Sequence, residues 1–313
     1  MATTSAGNPY VESSDLVANY PATSLALANR LDKYAVNPFA DAAARDAAIP
    51  TPVQGQLAQT LDDNKVWRYD GTAWAPFSGA VGAANFTDTA TGTFSDGGIN
   101  YKYLTVTGTQ SVTFDRTGFA DVLLIGAGGG GGNDAAGGAG GFLSLTNVYV
   151  PLGAQPVVIG AGGVGTVSGV QPVIGGATIF RDYYSVGGGG GGWVGEAGVP
   201  GASGGGNSRS WSGLVPGIPD LGNSTSGTSG SGGGAGGTGS GGSTPLLGGP
   251  GLSSDITGVT VFYSGGGNVN QTTNTTEART ASNTAGAANS GSGGGNLAAN
   301  NGGSGVAVIR VVV

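Results

Sequence analysis

The sequence predicts a mainly β protein: a small N-terminal β-meander with a short helix, then an antiparallel β-sandwich-like domain carrying glycine-rich, polyproline II-like helices. Three observations lead there. Short runs of alternating apolar and polar residues recur from residue 56 to the final GVAVIRVVV, the pattern of half-buried strands. The 68 glycines are concentrated after Gly126, between those strand candidates, where a conventional helix could not propagate. Many of them fall on every third position, which is the period of a polyproline II helix.

Composition excludes much chemistry. There is no cysteine and no histidine, so thiolate nucleophiles, imidazole bases, Ser-His-Asp arrangements and thiolate or imidazole metal sites are all ruled out. Only 9% of the chain is charged, with a formal net charge of −7. Lys33, Lys65, Lys102 and scattered arginines form no basic stripe, so nucleic acid is not an expected partner. No apolar run approaches the roughly 20 residues of a membrane-spanning helix, and MATTSAGNPYVESSD has neither the basic nor the apolar region of a secretory signal. A hydrophobic content of 38% nevertheless argues for a packed chain over a solvated coil.

Three regions are expected. Residues 1–44 form an attachment or oligomerisation segment with a helix from Thr23 to Ala35, where Leu27, Leu31 and Tyr34 recur at helical spacing. Residues 45–79 form the meander, with strands near Gln56–Leu61, Lys65–Tyr69 and Thr72–Phe77 and a hairpin signal at Asp70-Gly71. Trp67 and Trp74 read as its small core. Residues 80–313 form the glycine-rich β domain, with strands within Asn85–Gly126 and at Phe142–Val150, Pro156–Ile159, Ala177–Phe180, Val259–Tyr263 and Val306–Val313. The near-continuous apolar run Asp121–Ile125 suits a strand buried on both faces.

Gly126, Gly128 and Gly131 follow a strand in the spacing GxGxxG, and Gly160, Gly162 and Gly165 repeat it. A dinucleotide site needs a helix after those glycines and an acidic residue about 20 positions on. The sequence GNDAAGGAGGFLSL that follows cannot form that helix, so no cofactor is expected. Isolated Asp and Asn residues read as turn formers, and no metal site is assigned.

The glycine phase carries more information. Gly189, Gly192, Gly195, Gly198, Gly201 and Gly204 form one series, and Gly227, Gly230, Gly233, Gly236, Gly239 and Gly242 form another. Fifteen steps of polyproline II would span about 47 Å. Such a helix makes no internal backbone hydrogen bonds, and an edge without side chains lets neighbours approach and exchange them. The expectation is a set of packed glycine helices, with Gly195 and Gly233 on packed edges. A flexible Gly/Ser linker and a collagen-like triple helix are the competing readings; alternating strands oppose the first and scarce proline the second.

The succession DVLLIGAGGGGG, GGAGGFLSL, VVIGAGGVG, GGATIF, SVGGGGGG, ITGVTVFYSGGG and GGSGVAVIRVVV resembles the C-terminal glycine-rich domain of bacteriophage tail-fibre and minor tail proteins, from about Asp121 to Val313. RDAAIPTPVQGQLAQTLDDNKVWRYDGTAWAPF resembles a short module of phage virion proteins. The resemblance implies a non-enzymatic virion component of tail or surface appendage, homo-oligomeric with a trimer favoured. Its N-terminal region would join other virion proteins, and its glycine-supported loops would meet a bacterial surface glycan or protein. Candidate contacts are the aromatics in glycine-rich surroundings, Tyr183, Tyr184, Trp193 and Trp211, whose faces suit sugar rings and hydrophobic anchors. A purely architectural virion protein is the alternative. A glycan depolymerase built on a carboxylate pair is a third, which the sparse Asp134, Asp182, Glu196, Asp220, Asp255 and Glu277 do not favour.

Overall fold

The computed structural model describes residues 2–3, 9–10, 36–62, 65–76, 82–167, 169–208, 217–225, 230–240, 246–272, 275–297 and 300–313. The chain divides into two units, Met1–Gly82 and Ala83–Val313. The helix expected over 23–35 lies outside the described residues.

In the first unit, β1 (Ala2–Thr3) pairs antiparallel with β2 (Pro9–Tyr10). A separate sheet has the order β3 (Asn37–Phe39), β4 (Leu57–Thr60), β5 (Lys65–Tyr69), β6 (Trp74–Pro76). The last three strands are the predicted meander. The first is parallel to β4, and the crossover between them carries α1 (Ala42–Ala48). The boundary drawn at residue 44 therefore cuts through elements that belong to one sheet. Asp41 caps α1 by accepting the Ala44 N–H at 2.8 Å. A seven-residue helix has no stability of its own. It is held by buried Arg45, whose guanidinium lies 5.1 Å from the Trp67 ring centre and 4.8 Å from that of Trp74. Trp67 Nε1 donates to Thr60 Oγ1 at 2.7 Å, and Trp74 meets Tyr69 edge-on. The two tryptophans thus form the small core that the sequence suggested.

The β5–β6 turn is fixed by one carboxylate. Asp70 Oδ1 accepts from Thr72 N, Thr72 Oγ1 and Ala73 N at 2.8–2.9 Å, and Gly71 supplies φ +111°. The Ala73 N–H, then the Thr72 N–H and hydroxyl, hold this carboxyl well below its ordinary 3.8, at about 2. Because the folded value is depressed, its contribution to stability is present above pH 3.8 and is lost as pH falls through 2. Thermal unfolding of this unit should weaken across that window, and Asp70→Asn should flatten the loss. An unchanged pH profile in the variant would contradict the assignment.

The second unit opens with a sandwich of two five-stranded, wholly antiparallel sheets. One has the order β15 (Tyr183–Ser185), β14 (Thr178–Phe180), β13 (Gly153–Val158), β10 (Gln110–Arg116), β7 (Asn85–Phe86). The other is β12 (Phe142–Val150), β11 (Gly118–Ile125), β18 (Val306–Val312), β9 (Ile99–Val106), β8 (Gly92–Asp96). Phe86, Val112, Phe114, Val157 and Phe180 of the first sheet pack on Leu104, Val106, Val122, Leu124, Val150 and Ile309 of the second. The C-terminal strand does not close an edge; β18 sits at the centre of its sheet between β11 and β9. Its neighbour β11 is apolar on both faces because the outer one is covered too. There Leu123, Ile125, Val306 and Val308 meet Ile256 and Tyr263 of the hairpin β16 (Leu252–Ser254) and β17 (Val261–Tyr263). By contrast β10 alternates buried and exposed residues.

At one end of the sandwich the strands run directly into glycine. Beyond Ile125, residues 126–132 donate in strict three-residue rotation to three neighbours. Gly126, Gly129 and Gly132 bond to the carbonyls of Gly141, Gly138 and Ala135; Ala127 and Gly130 to Gly176 and Val173; Gly128 and Gly131 to Gly303 and Asn300. The carbonyls of this segment serve three others: Ala127 and Gly130 accept from Gly188 and Gly191, Gly128 and Gly131 from Gly163 and Thr166, and Gly129 from Gly294. One central threefold helix is therefore hydrogen-bonded to six neighbours, the donors facing antiparallel partners and the acceptors serving parallel ones. Residues 135–141 donate in the same three-residue rotation, Ala136 and Ala139 to Gly230 and Gly233 of a parallel neighbour, Gly137 and Gly140 to Gly294 and Gly291, and Gly138 and Gly141 to Gly189 and Val186 of antiparallel ones. The backbone groups that a polyproline II helix leaves free are thus paired between helices across a lattice.

Several lattice helices continue strands, so β-hairpins become glycine hairpins: β11 leads to 126–132, which turns and returns through 135–141 to β12. At the junctions, buried Thr178 accepts the Gly160 N–H and buried Ser185 that of Gly126, bridging the change from ladder to lattice. Where the lattice lacks a peptide group, asparagine supplies one: Asn207, Asn268 and Asn301 accept the N–H groups of Gly198, Gly248 and Gly165.

This geometry corrects the reading of the glycine series. Gly189 to Gly204 is not one helix; it reverses at Trp193–Glu196, where Glu196 N donates to Trp193 O. Gly195 lies in that turn at φ +86° with nothing within 4 Å, so it serves conformation, not packing. Gly189, Gly192, Gly198 and Gly201 are packed against backbone, and Gly204 is buried and bonded to Asn223. The second series reverses at 234–237, with Gly230, Gly233, Gly236 and Gly239 packed against backbone; Gly227 and Gly242 lie outside the described residues. Interior helices such as 187–192 need glycine in all three phases because they have neighbours on every side. The outer helix 196–207 shows the three-residue phase over Gly198, Gly201 and Gly204, where half-buried Val199 and exposed Pro200 stand between the glycines.

Candidate functional site

The lattice ends in a group of turns, and these are its candidate contact surface. Helix 126–132 closes through Asn133 and Asp134. Residues 164–167 and 169–174 lie beside it, through Thr166 N to Gly131 O and Gly130 N to Val173 O. Gln171 Nε2 ties that loop to the 193–196 turn by donating to Gly191 O and Ala197 O at 3.4 and 3.2 Å. Asn300, which accepts from Gly131 N, brings up the turn that carries Leu297.

The rim of this tip is apolar. Val164, Val167, Val170, Val173, Ile174 and Val194 are each at least half exposed, and half-buried Trp193 stands among them. Six exposed aliphatic side chains gathered on adjoining loops form a patch of the kind that marks interaction surfaces. The nearby acidic residues are Asp134 and Glu196. The sequence reading missed the aliphatic rim. Its signal was present in VGTVSGVQPVIG, where valines and an isoleucine recur between two strand candidates.

The four aromatic candidates do not converge. Tyr183 and Tyr184 lie on the edge strand β15, 38% and 62% exposed, while Trp193 lies at the far end of the helix that leaves that strand. Eight polyproline II steps separate Ser185 from Trp193, roughly 25 Å. Trp211 is outside the described residues. Trp193 therefore joins the tip, and the tyrosine pair belongs to the flank of the sandwich.

The groups with perturbed titration in this unit have structural partners. Burial pushes the Lys102 amine down; its Nζ donates to Phe86 O at 2.7 Å over the Phe86 ring. Burial, with Tyr103 adding, raises the Tyr263 phenol. Asp121 and Arg310 form a cross-strand pair at 2.7 Å. Among the described residues, no group of three or more Asp or Glu side chains could hold a metal ion. The glycines of both GxGxxG patterns are consumed by the lattice, and among the described residues no helix follows them.

No curated protein matches the chain. A family model described as a glycine-rich domain matches residues 105–312, which takes in most of the sandwich and the whole lattice. By that match the chain belongs to the glycine-rich domain family.

Proposed function

We propose that this protein is a non-enzymatic structural component of a phage virion, a tail fibre or minor tail protein, whose lattice tip contacts the surface of the bacterial host. The observation that carries the reading is the polarity of the second unit. The chain enters it at Ala83, bridged to Phe119 near the start of β11, whereas the apolar loops lie past Gly132 at the opposite end. Six strand steps and seven polyproline II steps put them roughly 40 Å apart. A shaft made of backbone hydrogen bonds presents few side chains on the way and many at its end. The N-terminal unit serves as the virion attachment, and the polar chain assembles as a homo-oligomer, with three copies favoured by the tail-fibre resemblance.

The test is attachment to host bacteria. Labelled protein should bind cells and block phage adsorption, and Val170→Asp with Val173→Asp should reduce both at least about tenfold. Tyr184→Ala should leave them unchanged. Full adsorption by particles lacking the protein would instead favour a purely architectural role.

A further inference from the structure

A second surface lies on the flank of the lattice, away from the tip. An open groove of about 420 Å³ runs between residues 278–281 and 284–292, with Phe262 at its side. That volume is within the range of small-ligand sites. We propose that this groove binds a neutral glycan. The inference deepens the host-surface reading and rests on it only for the source of the sugar.

Phe262 supplies the platform. On β17 the alternation sends Val261 and Tyr263 onto the sandwich, so Phe262 faces the groove and stays 43% exposed. An exposed aromatic face at the side of a polar trough suits the apolar face of a sugar ring. The groove's hydroxyls are pre-oriented. Thr284 Oγ1 donates to Ala281 O at 2.7 Å, Ser290 Oγ to Ala287 O at 2.6 Å, and Ser292 Oγ to Ala278 O at 2.7 Å. With its proton directed at backbone, the exposed Thr284 oxygen is a fixed acceptor for a hydroxyl donor of a ligand, while buried Ser292 and its neighbour Ser290, whose Oγ atoms meet at 2.7 Å, hold each other in the groove floor.

Charge selects against anions. Among the described residues of the lining the one cation is Arg279, which is paired with Glu277 at 2.7 Å and donates from Nε to Gly248 O at 2.8 Å. An acidic polymer finds no uncompensated positive charge there. The wall is also built at conformational cost. The turn Thr276–Arg279 holds Glu277 and Ala278 at φ +57° and +58°, in a chain with glycine to spare. Left-handed backbone is strained for residues other than glycine, and such strain gathers at ligand clamps. Here it sets the Glu277–Arg279 pair beside the groove.

The experiment uses the full chain and immobilised polysaccharides: neutral glucan, galactan and mannan, with polygalacturonate as the acidic control. At least one neutral polymer should be retained, equally in molar salt. Phe262→Ala should lower that retention at least about tenfold, and Phe262→Trp should preserve it, with both variants melting like the parent. Failure to retain any neutral polymer would overturn the proposal. So would retention indifferent to Phe262→Ala, or displacement of the sugar by a proline-rich peptide in preference to free oligosaccharide. If the groove fails while the tip variants still lose cell attachment, the host-surface reading stands alone. If the tip variants attach normally, that reading falls whatever the polysaccharides show.

Discussion

A single methyl group on Gly128 is expected to prevent the Ala83–Val313 unit from folding. Gly128 donates to Gly303 O and accepts from Gly163 N, so two helices fix its position. A Cβ built there overlaps the carbonyl oxygen of Ser292 and lies 2.8 Å from Gly293 N. Neither neighbour is the yielding end of a side chain. Each is backbone whose own hydrogen bonds hold further helices, so relief at one point breaks bonds at another. Ordinary overpacking of a side-chain core costs about 1–3 kcal/mol. The Gly128→Ala change should exceed that and give insoluble or unfolded protein by circular dichroism. Gly108→Ala is the control: nothing lies within 4 Å and φ is not positive, so the change should stay within about 0.5 kcal/mol. Equal behaviour of the two variants would remove the case for a close-packed lattice.

Phe114→Ala should cost about 3–5 kcal/mol, the penalty for removing a buried phenyl from a packed core. Phe114 is 1% exposed, meets Phe86 edge-on at 6.3 Å and packs in the core shared by both sheets. The urea midpoint reads the loss. Because β11 and β18 pass without interruption into lattice helices, sandwich and lattice should melt in one transition in parent and variant alike. Two separated transitions would mean that the lattice folds apart from its strands.

Much of this fold was legible because strand patterning survives beside the glycine. Phe142–Val150 was located to the residue, and the apolar run of β11 announced a strand covered on both faces; Val306–Val313 was read as a strand, though not as a central one. The three-residue phase pointed to packed extended helices, which the bonding pattern bears out. Where each helix reverses was less visible. Gly195 and Gly192 are the same letter at the same phase, yet one turns the chain and the other lies against backbone. The phase also fades where packing is densest, since a helix with neighbours on all sides needs glycine everywhere and loses its period. The candidate site was read from aromatic residues, which are easily noticed. The valines of the tip and the groove beside Phe262 arise from turns brought together by the lattice, and no local pattern encodes that meeting.

The central claim is that glycine amides of the lattice are hydrogen-bonded between helices, and native-state hydrogen exchange measures it directly. The amides of Gly128, Gly131, Gly138, Gly188 and Gly294 should be protected to the same degree as those of Leu123 and Leu124 in β11, exchanging only through global opening. Exchange of these glycines at the rate of an unstructured peptide, with the β11 amides still protected, would show that the glycine segments are linkers and would contradict the account.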